Sequence, residues 1–352
     1  MLRILARRST DVRYFTDDLA HELDGARPQG PGWWLRGAGD PTDPECVRGV
    51  LTHTERARVV GYDIVVAAPR PVSVLLALDE PSGGALVAAH RHAVAAAVGY
   101  LEERGLIVRT QLAGERFDDV ARWETVVAFT HGVNRHGEPH LHDHVLVGAR
   151  PAGEDRVLDR RSLDVHASAA DALYLAELRR GVNTRTSWRA WRSFRGLDHV
   201  VGVDEGYRVL WGGHHDGRGG KLHWSRDETR ARWREDVARY QREAAPDAPS
   251  RTFDAHGFAA SFEGALTVTR RHVVAAWAHA STFGERASRI ETGIDRLVPT
   301  LRNERGVREA SITVAQARAL ETSLSRELAR ERYRDPARQR ERDSRSGAWR
   351  SR

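Results

Sequence analysis

The 352-residue sequence predicts a mixed α+β chain: an antiparallel sheet flanked by helices, followed by a mostly helical C-terminal region. Three observations carry that prediction. Two apolar runs within residues 124–149 read as paired strands around a turn. The alanine-rich stretch 85–104 reads as a helix with one buried face, and from Ser225 the texture becomes charged and helical.

Taken in order, residues 2–6 read as a first strand and residues 10–23 as a helix, with Ser9, Thr10 and Asp11 as candidate N-caps. Residues 25–44 are rich in Gly and Pro and read as irregular, enclosing Trp33 and Trp34. A strand over 61–68 stops at Pro69-Arg70-Pro71, a second short apolar stretch covers 72–78, and the 85–104 helix follows. After the central hairpin come a helix at 168–180, a short strand-like 207–211 and a glycine-rich loop at 212–220. Beyond Ser225 the pattern is helical, with a break at 244–250, an apolar stretch at 269–280 and a charged helix at 314–334. This divides the chain into a catalytic unit at 1–225, a helical region at 226–335 and an arginine-rich tail at 336–352 that stays disordered without a partner.

The composition narrows the function classes. Cys46 is the single cysteine, so an internal disulfide is impossible and a reducing cytoplasm is the expected location. No run approaches the ~18 apolar residues of a membrane span, and the N-terminal residues are too soon interrupted by arginine to read as a secretory signal. The formal charge is +6, yet residues 326–352 hold ten arginines against five acids, so the body is close to neutral. Nucleic-acid binding by the body must then come from local patches.

The chemistry is concentrated in residues 124–149, which hold five of the seventeen histidines. If residues 134–139 form the turn, facing residue numbers sum to 273, which sets His131 opposite His142 with His144 two places on and on the same face. Facing Cβ atoms across such a pair lie ~4.5–5.5 Å apart, so three imidazoles can converge on one cation. Leu141, Val145 and Val147 on the other face suit a core, and alternation puts Asp143 with them. His140, read as opposite Val133, is available as a substitute or fourth ligand. Three neutral imidazoles with an open position suit a catalytic divalent ion, Mg, Mn or Zn.

An open cation beside a phosphate calls for a nucleophile. Cys46 is isolated among charged residues and no nucleophile-elbow serine is present, which leaves seven tyrosines. Tyr14 stands out, in the first helix with Asp17 and Asp18 following. Asp63 is a lone acid inside the apolar run Tyr62-Asp63-Ile64-Val65-Val66, and fits as the carboxylate that fixes a ligand histidine. A strand-end aspartate facing water is the alternative.

Four segments in order, namely Tyr14 in its helix, GYDIVVAAPRPVSVLLAL at 61–78, AHRHAVAAAVGYLEERG at 89–105 and FTHGVNRHGEPHLHDHVLVGA at 129–149, resemble the TrwC/TraI-type conjugative relaxases, the MobF family of HUH single-strand DNA endonucleases. The similarity spans roughly residues 1–215 and also takes in 158–182. It implies a palm-like HUH core, a cation on His131, His142 and His144, and Asp63 orienting a metal histidine or accepting the tyrosine proton. Tyr14 would attack the scissile phosphate, and His90 would be architectural. The sequence departs from the family pattern at Arg70 and Pro71, where a lysine and a serine are usual, and Trp33-Trp34 stands where a second tyrosine pair might fall. No Walker-type phosphate loop occurs, so nicking without ATP-driven unwinding is expected.

Single-stranded or hairpin DNA at a transfer or replication origin is the expected partner, with other transfer or helicase proteins, and without membrane insertion. Candidate DNA contacts are Arg70, Trp33, Trp34, Arg189 and Arg192, the last two within the arginine- and aromatic-rich segment 186–196. A helix burying Trp188, Trp191 and Phe194 is the plainer reading of that segment. The alternatives are a rolling-circle replication initiator of the same chemistry and a catalytically decayed DNA-binding remnant.

Overall fold

In the computed structural model, the described residues are 1–16, 32–51, 58–79, 81–112, 115–134, 136–153, 156–192, 198–203, 211, 226–239, 255–301 and 310–334. The core is a five-stranded, wholly antiparallel sheet. Its strands are β1 (Leu2–Arg7), β2 (Gly32–Arg36), β3 (Gly61–Ala67), β6 (Val126–Val133) and β7 (Pro139–Gly148), in the spatial order β1-β3-β7-β6-β2. The long helices α4 (Gly83–Gly105) and α5 (Arg160–Arg185) pack together on one face of it with α3 (Arg70–Leu78). Inward residues of the sheet such as Ile64, Leu141, Val145 and Val147 are fully buried there. A second, smaller apolar cluster covers part of the opposite face. It joins Val127, Phe129 and Leu146 of the sheet to Phe15 of helix α1 (Arg13–Thr16) and Val47 of α2 (Pro44–Arg48).

Helix α5 is longer than its apolar pattern suggested, because Asp159 caps its start by accepting from the Arg161 amide. Residues 72–78, read only as an apolar stretch, are helical: Pro71 sits in the first turn, where the missing amide is harmless. Part of the segment read as irregular is the edge strand β2, because Gly32, Trp33 and Trp34 pair with Phe129, Ala128 and Val127. A hairpin of β4 (Ile107–Leu112) and β5 (Glu115–Val120) follows α4.

The described part of segment 186–196, residues 186–192, is not a helix. Residues Ala190–Arg192 form strand β8, paired with β9 (Asp198–Val200), and Trp191 is buried against the His199 ring. The helical region comprises α6 (Arg226–Arg239), α7 (Ala255–Ala260), α8 (Arg270–Ala280), α9 (Ala287–Leu297) and α10 (Val314–Arg334), with a small ladder of β10 (Thr267–Thr269) and β11 (Ser311–Thr313). It packs on the helices behind the sheet: α8 lies along α5, where Arg179 donates to the Ala278 carbonyl at 2.9 Å. Trp233 of α6 donates to the Gly137 carbonyl at 2.8 Å, on the turn between β6 and β7. The expectations for residues 17–23, 207–210, 212–220, 244–250 and 336–352, and that for Phe194, lie outside the described residues.

Candidate active site

The hairpin has the register read from its histidine spacing. His131 faces His142, and Phe129 faces His144. The turn closes with Asn134, whose amide donates to the Glu138 carbonyl, and with Gly137 at a φ of +74°, a region that favours glycine. The register slips by one between His131 and Val133, so Val133 faces Pro139 rather than His140. Two steps on β6 there face three on β7, so the extra residue of this β-bulge lies on β7 between Pro139 and His142.

The imidazoles of His131, His142 and His144 converge. Their ring centroids are 5.1–5.3 Å apart, and one nitrogen from each lies within 4.8 Å of the others. His140 stands outside this converging set; its ring packs against His142 at 4.6 Å. His142 Nδ1 donates to the His140 carbonyl at 2.8 Å, and His144 Nδ1 donates to the Asp63 carboxylate at 2.9 and 3.0 Å. Each bond fixes a tautomer that leaves Nε2 with its lone pair. Burial, reinforced by His131, His140 and His144, holds His142 well below the ordinary histidine value, so it is neutral at pH 7. Three converging imidazoles, two of them locked from behind, form a donor set suited to a divalent cation.

Asp63 is buried, not facing water at a strand end. On the other side of β7, Asp143 is fully buried between the two ligand positions. It accepts from His90 Nε2 at 3.1 Å and from Trp33 Nε1 at 3.0 Å, while His90 Nδ1 meets the Tyr174 hydroxyl at 2.8 Å. Burial pushes the Asp143 carboxyl up, but His90, Arg91 and Thr130 outweigh it and keep it below the usual carboxylate range. His90 is thus part of the framework that seats β7.

Tyr14 stands on the histidine face, 45% exposed, with its ring centroid 5.5 Å from His144 and 6.1 Å from His131. Neighbouring Phe15 is buried, stacked on Phe129 and 5.3 Å from His144, an aromatic neighbour that no sequence signal singled out. An exposed phenol beside a triad of ligand nitrogens can deliver its oxygen to a phosphate held there.

The other candidates are less central. Arg70 is anchored on the hairpin turn, donating to the Pro139 carbonyl at 2.9 Å and lying 3.7 Å from Glu138. Trp33 gives its N–H to Asp143 and has Arg91 over its ring at 5.1 Å, and Trp34 donates to the Gly39 carbonyl at 2.9 Å. Both indoles are half-buried in the sheet edge and tied to the fold. Arg189 is exposed just before β8, and Arg192 within it is half-buried.

Residues 16–211 match the family model described as TrwC relaxase. The chain belongs to the TrwC relaxase family. It is therefore a relaxase of the DNA-nicking, strand-transferring kind. The matched stretch includes Asp63 and the three histidines, and Tyr14 lies two residues ahead of it. Solved TrwC structures share the fold, each comparison covering 68% of this chain and 98% of the other. They include TrwC complexed with a 27-mer DNA comprising the recognition hairpin and the cleavage site, at 17% identity and a TM-score of 0.53. A metal-free complex of TrwC with OriT DNA gives 18% and 0.53, and a copper-bound one gives 18% and 0.54. Comparison with curated proteins returns no match. No helix among the described residues is long and apolar enough to cross a membrane.

Proposed function

We propose that this TrwC-type relaxase nicks one strand of DNA at a specific site in a mobile element, with Tyr14 as nucleophile. The Tyr14 hydroxyl loses its proton and its oxygen attacks the scissile phosphorus. The bond to the 3′ oxygen breaks, that oxygen is protonated to a 3′-OH, and a 5′-phosphotyrosyl link remains. One phosphodiester replaces another, so rejoining needs no external energy source.

His131, His142 and His144 would hold a divalent cation, Mg, Mn or Zn, which supplies Lewis acidity toward phosphate oxygens and a template for in-line attack. Asp63 acts through His144 as a positioning residue: both its oxygens face His144 Nδ1, which favours orientation of the ring over collection of the phenol proton. Single-stranded or hairpin DNA at a transfer origin is the substrate, with other transfer or helicase proteins as partners in the cytoplasm. Residues 1–225 carry the chemistry and 226–335 form a helical region packed upon them.

The observation that carries this reading is the exposed Tyr14 ring beside two of the three converging histidines. A covalent protein–oligonucleotide adduct that survives denaturation, depends on Mn²⁺ or Mg²⁺ and is lost in Tyr14→Phe is the expected result. Sequence-selective DNA binding with no adduct would instead mark a decayed enzyme.

A further inference from the structure

The histidine face of the sheet carries an arginine that the fold does not use. Directly facing residues of neighbouring strands share a face, and the pairings of Arg3 with Val65, Val65 with His144 and His144 with Phe129 run across β1, β3, β7 and β6. Arg3 therefore stands in one row with His144, two strands away, ~10 Å by the ordinary strand spacing. Val65 between them is short and half-buried, so the row holds no long side chain between the guanidinium and the triad. Leu2 and Ile4, which alternate with Arg3, point the other way into the main core.

Arg3 is exposed, and the one polar contact of its side chain among the described residues runs from Nε to the Met1 Sδ at 3.3 Å, a weak acceptor. Its two terminal nitrogens bond to no protein oxygen there. Asp63, in the adjoining row, gives both its oxygens to His144 instead. Arg7, Arg13 and Arg70 already donate to the Asp11 carbonyl, the Asp11 carboxylate and the Pro139 carbonyl.

We propose that Arg3 binds a phosphate beside the scissile one and so holds the DNA strand across β1 and β3. The proposal rests on the reading of the triad and Tyr14 as the nicking centre. The planar guanidinium offers a fork of N–H groups that matches two phosphate oxygens. Leu5, two places on and 49% exposed on the same face, sets an apolar side chain beside that cation. Together they suit the sugar or base and the phosphate of one nucleotide. β1 is also an edge of the sheet, where an exposed charge deters pairing with another chain. The two roles leave different marks. A phosphate contact releases counterions, so removing it flattens the dependence of log affinity on log salt by about 0.7 for a single strand. An edge charge acts on self-association and leaves that slope alone.

The test measures binding of a labelled single-stranded oligonucleotide, from the non-coding DNA beside its gene, to the full chain carrying Tyr14→Phe, at fixed Mn²⁺ and varied NaCl. Adding Arg3→Gln should weaken binding on the order of 10-fold at low salt and reduce the slope by about 0.7. Arg3→Lys keeps the charge and should keep the slope. Arg318→Gln, at an exposed arginine of α10, should keep both affinity and slope. A methylphosphonate removes the charge of one linkage, and nicking by the parent chain identifies the scissile one. At one linkage beside it, the methylphosphonate should weaken binding of the Tyr14→Phe chain and cost nothing further in the Arg3→Gln chain. An unchanged slope in Arg3→Gln, an equal loss of slope in Arg318→Gln, or methylphosphonate effects that simply add overturn the proposal. An unchanged slope joined to increased self-association would leave Arg3 as a guard of the sheet edge. Adduct formation that persists in Tyr14→Phe strikes the nucleophile reading instead, since the slope reports binding alone.

Discussion

One shared proton sets the direction of His144. With Asp63 accepting from Nδ1, the ring presents Nε2 to the triad. Asp63→Asn can present its own N–H toward the ring, which disfavours the ligating tautomer. Metal affinity should fall by about 10- to 100-fold, read by titration with Mn²⁺ or Zn²⁺, while the melting temperature of the metal-free protein changes far less. Unchanged affinity would show that the tautomer is set elsewhere. Asp63 was legible in the sequence because an acid alone in a strand of Val and Ile needs a partner. Phe15 was not, because its stack on Phe129 exists only once distant segments meet.

At the scale of elements, the hairpin register followed from histidine spacing and the alternation of strand side chains, and the structure keeps it up to the bulge beyond the His131–His142 pair. The bulge itself left no mark in the sequence, so His140 was placed opposite the wrong residue. Strand β2 was hidden by the glycines and prolines around it, since pairing with β6 is a tertiary effect that overrides local preference. The aromatic spacing of 186–196 fits a helical stripe, but the segment supplies a strand, with Trp191 inward. Helices α4 and α5, which bring His90 and Tyr174 behind the metal strand, approach closely where Gly181 meets Ala89. A Cβ on Gly181 would lie 2.7 Å from the Ala89 Cβ. Gly181→Ala should therefore destabilise the fold by about 1–3 kcal/mol in urea denaturation, despite the better helix propensity of alanine. Equal or greater stability would mean that the two helices separate at little cost.

Across the whole molecule, buried histidines make stability depend on pH. His140, His166 and His279 are each pushed down to about 4, chiefly by burial and then by neighbouring arginines. In the unfolded chain they titrate near ~6.5, so as pH falls from there toward 4 the unfolded state takes up protons that the folded state refuses. Stability contributed by these groups is full above pH 6.5 and is lost on acidification through that window. Denaturation midpoints should fall from pH 7 to pH 4.5, and midpoints that hold steady or rise would contradict the burial of these rings. The charged helical texture after Ser225 was legible, and helices α6 to α10 lie there. The seating of α6 on the metal hairpin was not, because the Trp233 bond to the Gly137 carbonyl links residues far apart in sequence.

The central claim is that Tyr14 and the three hairpin histidines form one nicking centre. Its most direct test is mass spectrometry of peptides from the protein–oligonucleotide adduct formed with Mn²⁺. The account predicts a nucleotide-modified peptide on which the 5′ phosphate is joined to Tyr14, absent when His131, His142 and His144 are replaced together by alanine. A modification on another residue, or an undiminished Tyr14 adduct in the triple variant, would contradict it.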